Sequence, residues 1–191
     1  MKNVLQVLLA VSAMLAIPAS AQKTTWTIDP VHTQATFQAR HLSITTIRGS
    51  ISKVAGTVEG VPGDPSHDSV VATLEVKTVN TANDYRDKTL KGEDFFNVSK
   101  YPRIAFKSTA VKKSGNGYDV LGNLTIAGVT RPVILVAESP ATPQKGMEGE
   151  TVTGLSATTT IKRSDFSFGT KYSNSIFSDE IKITIDLELH Q

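Results

Sequence analysis

The sequence predicts an all-β protein: an antiparallel sheet of eight or nine strands, closed into a barrel or folded into a sandwich, with one short helical insert. Three observations predict it. Apolar residues recur at every second position in segment after segment, which is the period of a strand with one dry and one wet face. Short Gly- and Asn-containing turn sequences separate many of those segments, as antiparallel neighbours require. One stretch, residues 83–92, is too polar and unalternating for a strand and carries helix end signals.

Along the chain, residues 1–21 have the three parts of a cleaved secretory signal. Met1-Lys2-Asn3 is a short basic start, residues 4–17 are mostly apolar, and Pro18 precedes the small residues Ala19-Ser20-Ala21. The apolar run contains Gln6 and Ser12 and falls short of the ~20 residues a membrane-spanning helix needs. The exported domain is then residues 22–191, expected in a bacterial periplasm. Its first alternation sets Ala35, Phe37 and Ala39 against Thr36, Gln38 and Arg40. Val70, Ala72, Leu74 and Val76 alternate with Val71, Thr73, Glu75 and Lys77 after a turn-rich connection over residues 60–65. Within 83–92, Asn83 or Asp84 caps the helix and Gly92 ends it, and Phe95 and Phe96 follow; this insert is a lid for a barrel end or a cover for an open sheet edge. Ile104 and Phe106 share a face with Ser108 and Ala110, and after the turn 114–117 Tyr118, Val120, Leu124 and Ile126 face away from Asp119, Asn123 and Thr125. A hairpin turn over 127–130 leads to a short apolar strand, 133–137, and residues 140–149 make a longer connection. Leu155, Ala157, Thr159 and Ile161 form the next line. The last is the clearest: Ile181, Ile183, Ile185, Leu187 and Leu189 point one way, with Lys182, Thr184, Asp186 and Glu188 opposite.

Composition narrows the function. With 20 Lys+Arg against 18 Asp+Glu, the chain is too near balance for a nucleic-acid or membrane-surface protein. Zero Cys among 191 residues excludes disulfides, thiolate nucleophiles and Cys-based zinc sites. Neither a nucleotide-binding loop, nor a Gly-x-Ser-x-Gly elbow, nor His-Glu-x-x-His is present. The charges also decide which way a barrel would face. If its apolar rows met lipid, Glu75, Lys77, Lys182, Asp186 and Glu188 would crowd a lumen only wide enough for side chains or one slim ligand. A barrel in water, with an apolar interior, is the cheaper arrangement.

Several motifs carry a resemblance. Asp29-Pro30-Val31-His32-Thr33, with Phe37, Arg40-His41-Leu42 and Gly49, resembles the opening of the YceI-like family. Asp84-Tyr85-Arg86-Asp87-Lys88-Thr89-Leu90, then Asp94-Phe95-Phe96-Asn97, resemble its central segments. Lys100-Tyr101-Pro102 with Ile104 and Phe106, and residues 122–133, are similar to its later strands, whereas residues 144–153 and 171–178 match no pattern. The resemblance implies a lipocalin-like, extended eight-stranded barrel that holds a polyisoprenoid such as a quinone tail, with no covalent cofactor. It also implies periplasmic members that occur beside cytochrome b561-type membrane proteins, so such a protein is an expected partner of a monomer or homodimer.

On that reading Phe37, Leu74, Phe95, Phe96, Phe106, Leu124, Ile183 and Leu187 line the ligand, against the competing reading of ordinary core packing. His41 and Arg86 are head-group candidates, followed by Asp84 and Asn97. Arg86 offers a rigid fork of donors to a carbonyl or carboxylate, and its competing role is a solvated ion pair with Asp87 or a neighbouring acid. His32 is expected to hydrogen-bond the barrel closure, and His67 and His190 to lie on the surface. His32 and His41 would fall on opposite faces of an extended chain, so no metal site is expected from that pair. The leading expectation is a carrier without chemistry of its own. The alternatives are an enzyme using His41 and Arg86 on a bound amphiphile, or a ligand-free barrel with a filled interior.

Overall fold

In order along the chain come the strands β1 (Thr24–Ile28), β2 (Gln34–His41), β3 (Thr45–Ile51), β4 (Val54–Val61) and β5 (Asp64–Glu75), the helix α1 (Asp84–Lys91), then β6 (Arg103–Ser114), β7 (Gly117–Ile126), β8 (Val129–Ala137), β9 (Gln144–Lys145), β10 (Thr151–Lys162) and β11 (Glu180–His190). The structure is a computed structural model describing residues 23–61 and 64–191; the expected signal, residues 1–21, lies outside the described residues. Neighbouring strands pair antiparallel, and β1, β4, β5, β6, β7, β8, β10 and β11 form a closed ring of 8 strands. The barrel therefore wins over the sandwich.

Closure rests on β11. One edge pairs with β10 from Lys162↔Glu180 to Val152↔His190. The other edge changes partner part-way, taking β2 at residues 182–186 and β1 at 189–190. Between them the chain turns through residues 29–33, and Glu188 is held there by backbone and side chain: its N–H donates to Thr33 Oγ1 (3.0 Å), and its carbonyl accepts from Asp29 N (3.0 Å). β2 and β3 form a hairpin that extends the same wall beside β11 beyond the end of β1, with Phe37 and Ile51 facing the interior.

Alternation puts the odd-numbered residues of β11 inside, with Leu189 only 2% exposed and Lys182 and Asp186 outside. On β6 the expected alignment of Ala110 with Ile104 and Phe106 fails. A register shift between Ser108 and Ala110 inserts one residue, and Val111 takes the buried position instead. β8 is longer than expected because Pro132 is tolerated inside it. That strand pairs with β10 only at Val136 and Ala137, so the missing N–H of Pro132 faces an unpaired edge. Two glycines make room for aromatic rings: a Cβ on Gly49 would stand 2.4 Å from Phe37 Cζ, and one on Gly122 2.4 Å from Phe106 Cζ.

Helix α1 begins as expected. The Asn83 side chain accepts the Arg86 N–H at 2.9 Å, Asp84 and Asp87 occupy the positive end of the dipole, Lys88 and Lys91 the negative end, and Gly92 closes it. No residue of this helix is fully buried; Leu90 packs part-buried against the core, Arg86 and Asp87 bind Thr81, and the cap adds to these contacts. Asn83→Ala is expected to cost about 1 kcal/mol, read as a lowered thermal midpoint, with Asn83→Asp near neutral. Equal stability of all three would show that the cap contributes nothing.

Candidate functional site

The ring encloses a cavity of about 460 Å³, within the ~300–1,000 Å³ of typical ligand sites. Its closed end is made by Ile28 and Val54, each 1% exposed, with Ala72 and Leu187. Its wall follows β11 from Leu187 through Ile185 and Ile183 to Ile181, a run of roughly 20 Å at strand rise. It reaches the exposed residues His41, Tyr85 and Ile176, which form the mouth. No Asp, Glu or Lys lines it among the described residues. A second pocket, of about 900 Å³ and more open to solvent, lies where β8 and β10 splay apart and shares Thr159, Ile161, Phe166 and Ile183 with the first.

All eight residues expected to line a ligand stand in this wall: Phe37, Leu74, Phe95, Phe96, Phe106, Leu124, Ile183 and Leu187. Phe37, Leu74, Ile183 and Leu187 are inside the ring yet only half-buried, because they face open space and not one another. The four head-group candidates separate. His41 and Arg86 are in the wall at the mouth. Asp84 is exposed at the start of α1, outside the wall, since residues two apart on a helix point to nearly opposite sides. Asn97 is also outside it. There it holds a turn with a left-handed φ of 47°, its carbonyl accepting the N–H groups of Lys100 (2.9 Å) and Tyr101 (2.8 Å).

Arg86 does not form the expected ion pair with Asp87. Both residues bind Thr81, a buried residue 6% exposed. Arg86 Nε donates to Thr81 Oγ1 and Nη2 to its carbonyl, each at 2.7 Å. Asp87 Oδ1 accepts from Thr81 N (2.9 Å) and Oγ1 (2.5 Å). The fork is thus fixed beside the cavity, with Nη1 left without a hydrogen bond to the described residues.

Sequence reasoning missed Arg163. It follows β10, is 3% exposed and lines the cavity. Nη1 donates to the carbonyls of Phe168 (3.1 Å) and Gly169 (2.9 Å), Nη2 to the Tyr172 carbonyl and Asn174 Oδ1 (2.8 Å each), and Nε to the Ser178 carbonyl (3.3 Å). Its guanidinium carbon also lies 4.0 Å from the Phe177 ring centroid. A buried cation is satisfied here by neutral acceptors alone, and the irregular segment 164–179 is wrapped around it. That segment brings Phe168, Tyr172 and Phe177 against Phe95, with centroids 5.3, 5.3 and 5.9 Å away. Gly169 permits the approach: its φ is +62°, and a Cβ there would stand 2.6 Å from Phe95 Cε1. Lys171 reaches Asp94 at 2.6 Å across the same junction, and that hydrogen bond raises the Lys171 pKa. The hint in the sequence was four aromatics, Phe166, Phe168, Tyr172 and Phe177, in a stretch without alternation.

A second group of titratable side chains lies at the corner where β11 changes partner. His32 Nδ1 is 2.5 Å from Asp29 Oδ2 and 3.4 Å from Glu188 Oε1. His190 Nε2 is 2.8 Å from Glu188 Oε1 and 3.8 Å from Asp29 Oδ2. Burial opposes ionisation of Asp29, but the Val31 N–H and His32 together hold its carboxyl below the usual range. The Glu188 hydrogen bond raises His190 against a smaller cost of burial, with Asp29 and Glu150 adding to the rise. His190 is thus half-buried and engaged, not a free surface residue, and His32 does join the closure. His67, by contrast, pairs only locally with Asp64 (2.8 Å).

Known proteins resemble this chain in sequence and fold. A model of the YceI-like domain matches residues 26–189. A UPF0312 protein of Pectobacterium atrosepticum is 36% identical over 190 residues, 98% of this chain and 97% of its own. One from Yersinia pestis is 34% identical over 183 residues, 94% and 93% of the two chains. Among solved structures, BcnA of Burkholderia cenocepacia superposes with a TM-score of 0.75 at 26% identity, over 84% of this chain and 98% of that one. The YCEI protein of Campylobacter jejuni gives 0.70 at 33%, over 80% and 89%. A polyisoprenoid binding domain from Saccharophagus degradans gives 0.62 at 13%, over 86% and 97%, a likeness of fold. With the family model covering nearly all of the described barrel and relatives above 30% identity along the whole chain, the chain belongs to the YceI-like domain family.

Proposed function

We propose that this protein is a periplasmic carrier for a long-chain amphiphile of the isoprenoid-quinone kind, the tail lying in the tunnel and the head group at its mouth. The observation that carries the reading is the tunnel: long, narrow, apolar along its length and open at an end that presents His41 and Arg86. The Saccharophagus degradans domain is described as polyisoprenoid-binding, and at 13% identity that description points to a ligand class to test. Export rests on residues 1–21.

The energetics suit a carrier. Each methylene buried from water gains roughly 0.8 kcal/mol, but a membrane lipid has already left water. The tunnel needs only to match the bilayer and to offer polar partners that the bilayer interior lacks. Nη1 of Arg86, without a hydrogen bond to the described residues, is such a donor for a carbonyl or other acceptor oxygen. An enzymatic reading gains less support, since His41 has no side-chain hydrogen bond to the described residues and no carboxylate shares the wall.

Mass spectrometry under native conditions of protein purified from its own host, followed by solvent extraction, tests the reading. The expected result is one intact isoprenoid lipid per chain; protein that is consistently empty, or that releases a converted product dependent on His41, overturns it. Loading has its own signature. Leu42, Ile44, Tyr85 and Ile176 are 49, 73, 83 and 41% exposed around the mouth, an apolar rim suited to touching a membrane. Leu42→Asp combined with Ile44→Asp should slow uptake of a fluorescent isoprenoid from vesicles by about tenfold or more while leaving the final stoichiometry unchanged. Unaltered uptake would mean that the rim plays no part in transfer.

A further inference from the structure

We propose that Asp29, His32, Glu188 and His190 form a four-ligand site for a divalent cation of the zinc class, clamping the corner where the barrel closes. Their donor atoms make a closed circuit, alternating carboxylate oxygen and imidazole nitrogen: Asp29 Oδ2 to His32 Nδ1 at 2.5 Å, His32 Nδ1 to Glu188 Oε1 at 3.4 Å, Glu188 Oε1 to His190 Nε2 at 2.8 Å, and His190 Nε2 to Asp29 Oδ2 at 3.8 Å. Tetrahedral coordination with bonds of about 2.0–2.1 Å places neighbouring ligand atoms about 3.3 Å apart. Asp29, Glu188 and His190 offer three such atoms all within 4.8 Å of one another, and His32, on an exposed side chain beside Asp29, reaches the fourth position by rotation.

Two hydrogen bonds, His32 with Asp29 and His190 with Glu188, hold the corner, and they leave the two longer contacts, at 3.4 and 3.8 Å, without a hydrogen bond. Each imidazole nitrogen carries at most one proton, yet each faces two carboxylate oxygens, and each oxygen faces two nitrogens. A cation at the centre satisfies all four contacts at once. Two carboxylates and two neutral imidazoles supply a charge of −2, which a divalent ion neutralises. Zinc accepts nitrogen and oxygen ligands of this kind and needs no cysteine.

The surroundings hold the ligands in place. Val31 N donates to Asp29 Oδ1 at 2.8 Å, leaving Oδ2 turned toward the histidines. Glu188 and His190 are two apart on β11, so both project from the same outward face. Their backbones are fixed by Thr33 and by pairing with β1 and β10. The His32 and Glu188 side chains are 62% and 38% exposed, which gives an ion access from solvent without passing through the tunnel. Four protein ligands leave no open position, so the ion is structural: it ties the first turn of the barrel to the last strand.

The test uses untagged protein freed of metal by a chelator, then titrated with Zn²⁺ by calorimetry and with Co²⁺ by visible spectroscopy. The expected result is one equivalent bound, the intense d–d absorption of four-coordinate Co²⁺, and a thermal midpoint that rises until one equivalent is present. His32→Ala and His190→Ala should each weaken binding by more than the roughly 10–100-fold that loss of an outer-shell partner costs. His67→Ala, remote from the corner, should bind normally. His32 is in an exposed turn, so its variant stays folded and keeps the test decisive if His190→Ala does not. Absence of stoichiometric binding, or binding undiminished in His32→Ala, overturns the proposal.

Discussion

Leu124→Lys is expected to abolish ligand retention while leaving a folded, less stable barrel. Leu124 is 9% exposed, lies against Phe106 in the middle of the wall and has no carboxylate near it in the tunnel. An ammonium placed there has no partner, so it either loses its proton or draws water in along the tunnel. The cost to folding is about 3 kcal/mol or more. The cost to binding has a separate origin. If hydration of the ammonium displaces about four methylenes of ligand, the loss is ~3 kcal/mol, or two orders of magnitude in affinity. Ala39→Trp separates the two effects. Ala39 is half-buried, lines the tunnel towards the mouth and faces space into which an indole can extend. Filling that space should leave the thermal midpoint unchanged or higher and still exclude the ligand. Retention in both variants would mean that the tail does not lie in the tunnel.

That residues of the cavity wall could be read from the sequence has a simple physical basis. A closed sheet has only an inside and an outside, and strict alternation on β11, from Ile181 to Leu189, decides which residues go where. Phe37 and Phe106 were readable for the same reason. Features that depend on a change of periodicity were not. The bulge opposite Gly122 shifts the inward face from Ala110 to Val111, and residue counting cannot anticipate an inserted position. Asp84 was excluded by information already present, since it cannot share the helix face of Arg86 two residues on. The corner cluster was illegible for another reason. His32 comes from the first turn and His190 from the last strand, and only ring closure brings them to the same carboxylates. Arg163 was hidden because its partners are mostly backbone carbonyls, which every residue has and no sequence pattern marks.

Arg163→Ala should destabilise the protein by about 3–5 kcal/mol, and lower its thermal midpoint by about 10 °C or more. The reason is what the substitution leaves behind. Four carbonyls and the Asn174 amide oxygen converge on the guanidinium, and without it each must find water or another donor. Segment 164–179 is held to the sheet by a single bridge, His41 with Phe177, and its flanking bonds at Ile176 and Ser178, so the carbonyls of 168–172 find new partners only if the segment opens. Opening it releases Phe168, Tyr172 and Phe177 from Phe95, and these rings wall the tunnel near its mouth. Backbone amides of 164–179 should then exchange faster while those of β10 and β11 stay protected, and a bound lipid should leave faster. Arg163→Lys sharpens the test, because it keeps the charge but replaces a five-donor planar fork with three donors on one nitrogen. If charge alone mattered, lysine would restore the wild-type midpoint; if geometry matters, as five bonds to neutral acceptors imply, lysine recovers only part of it.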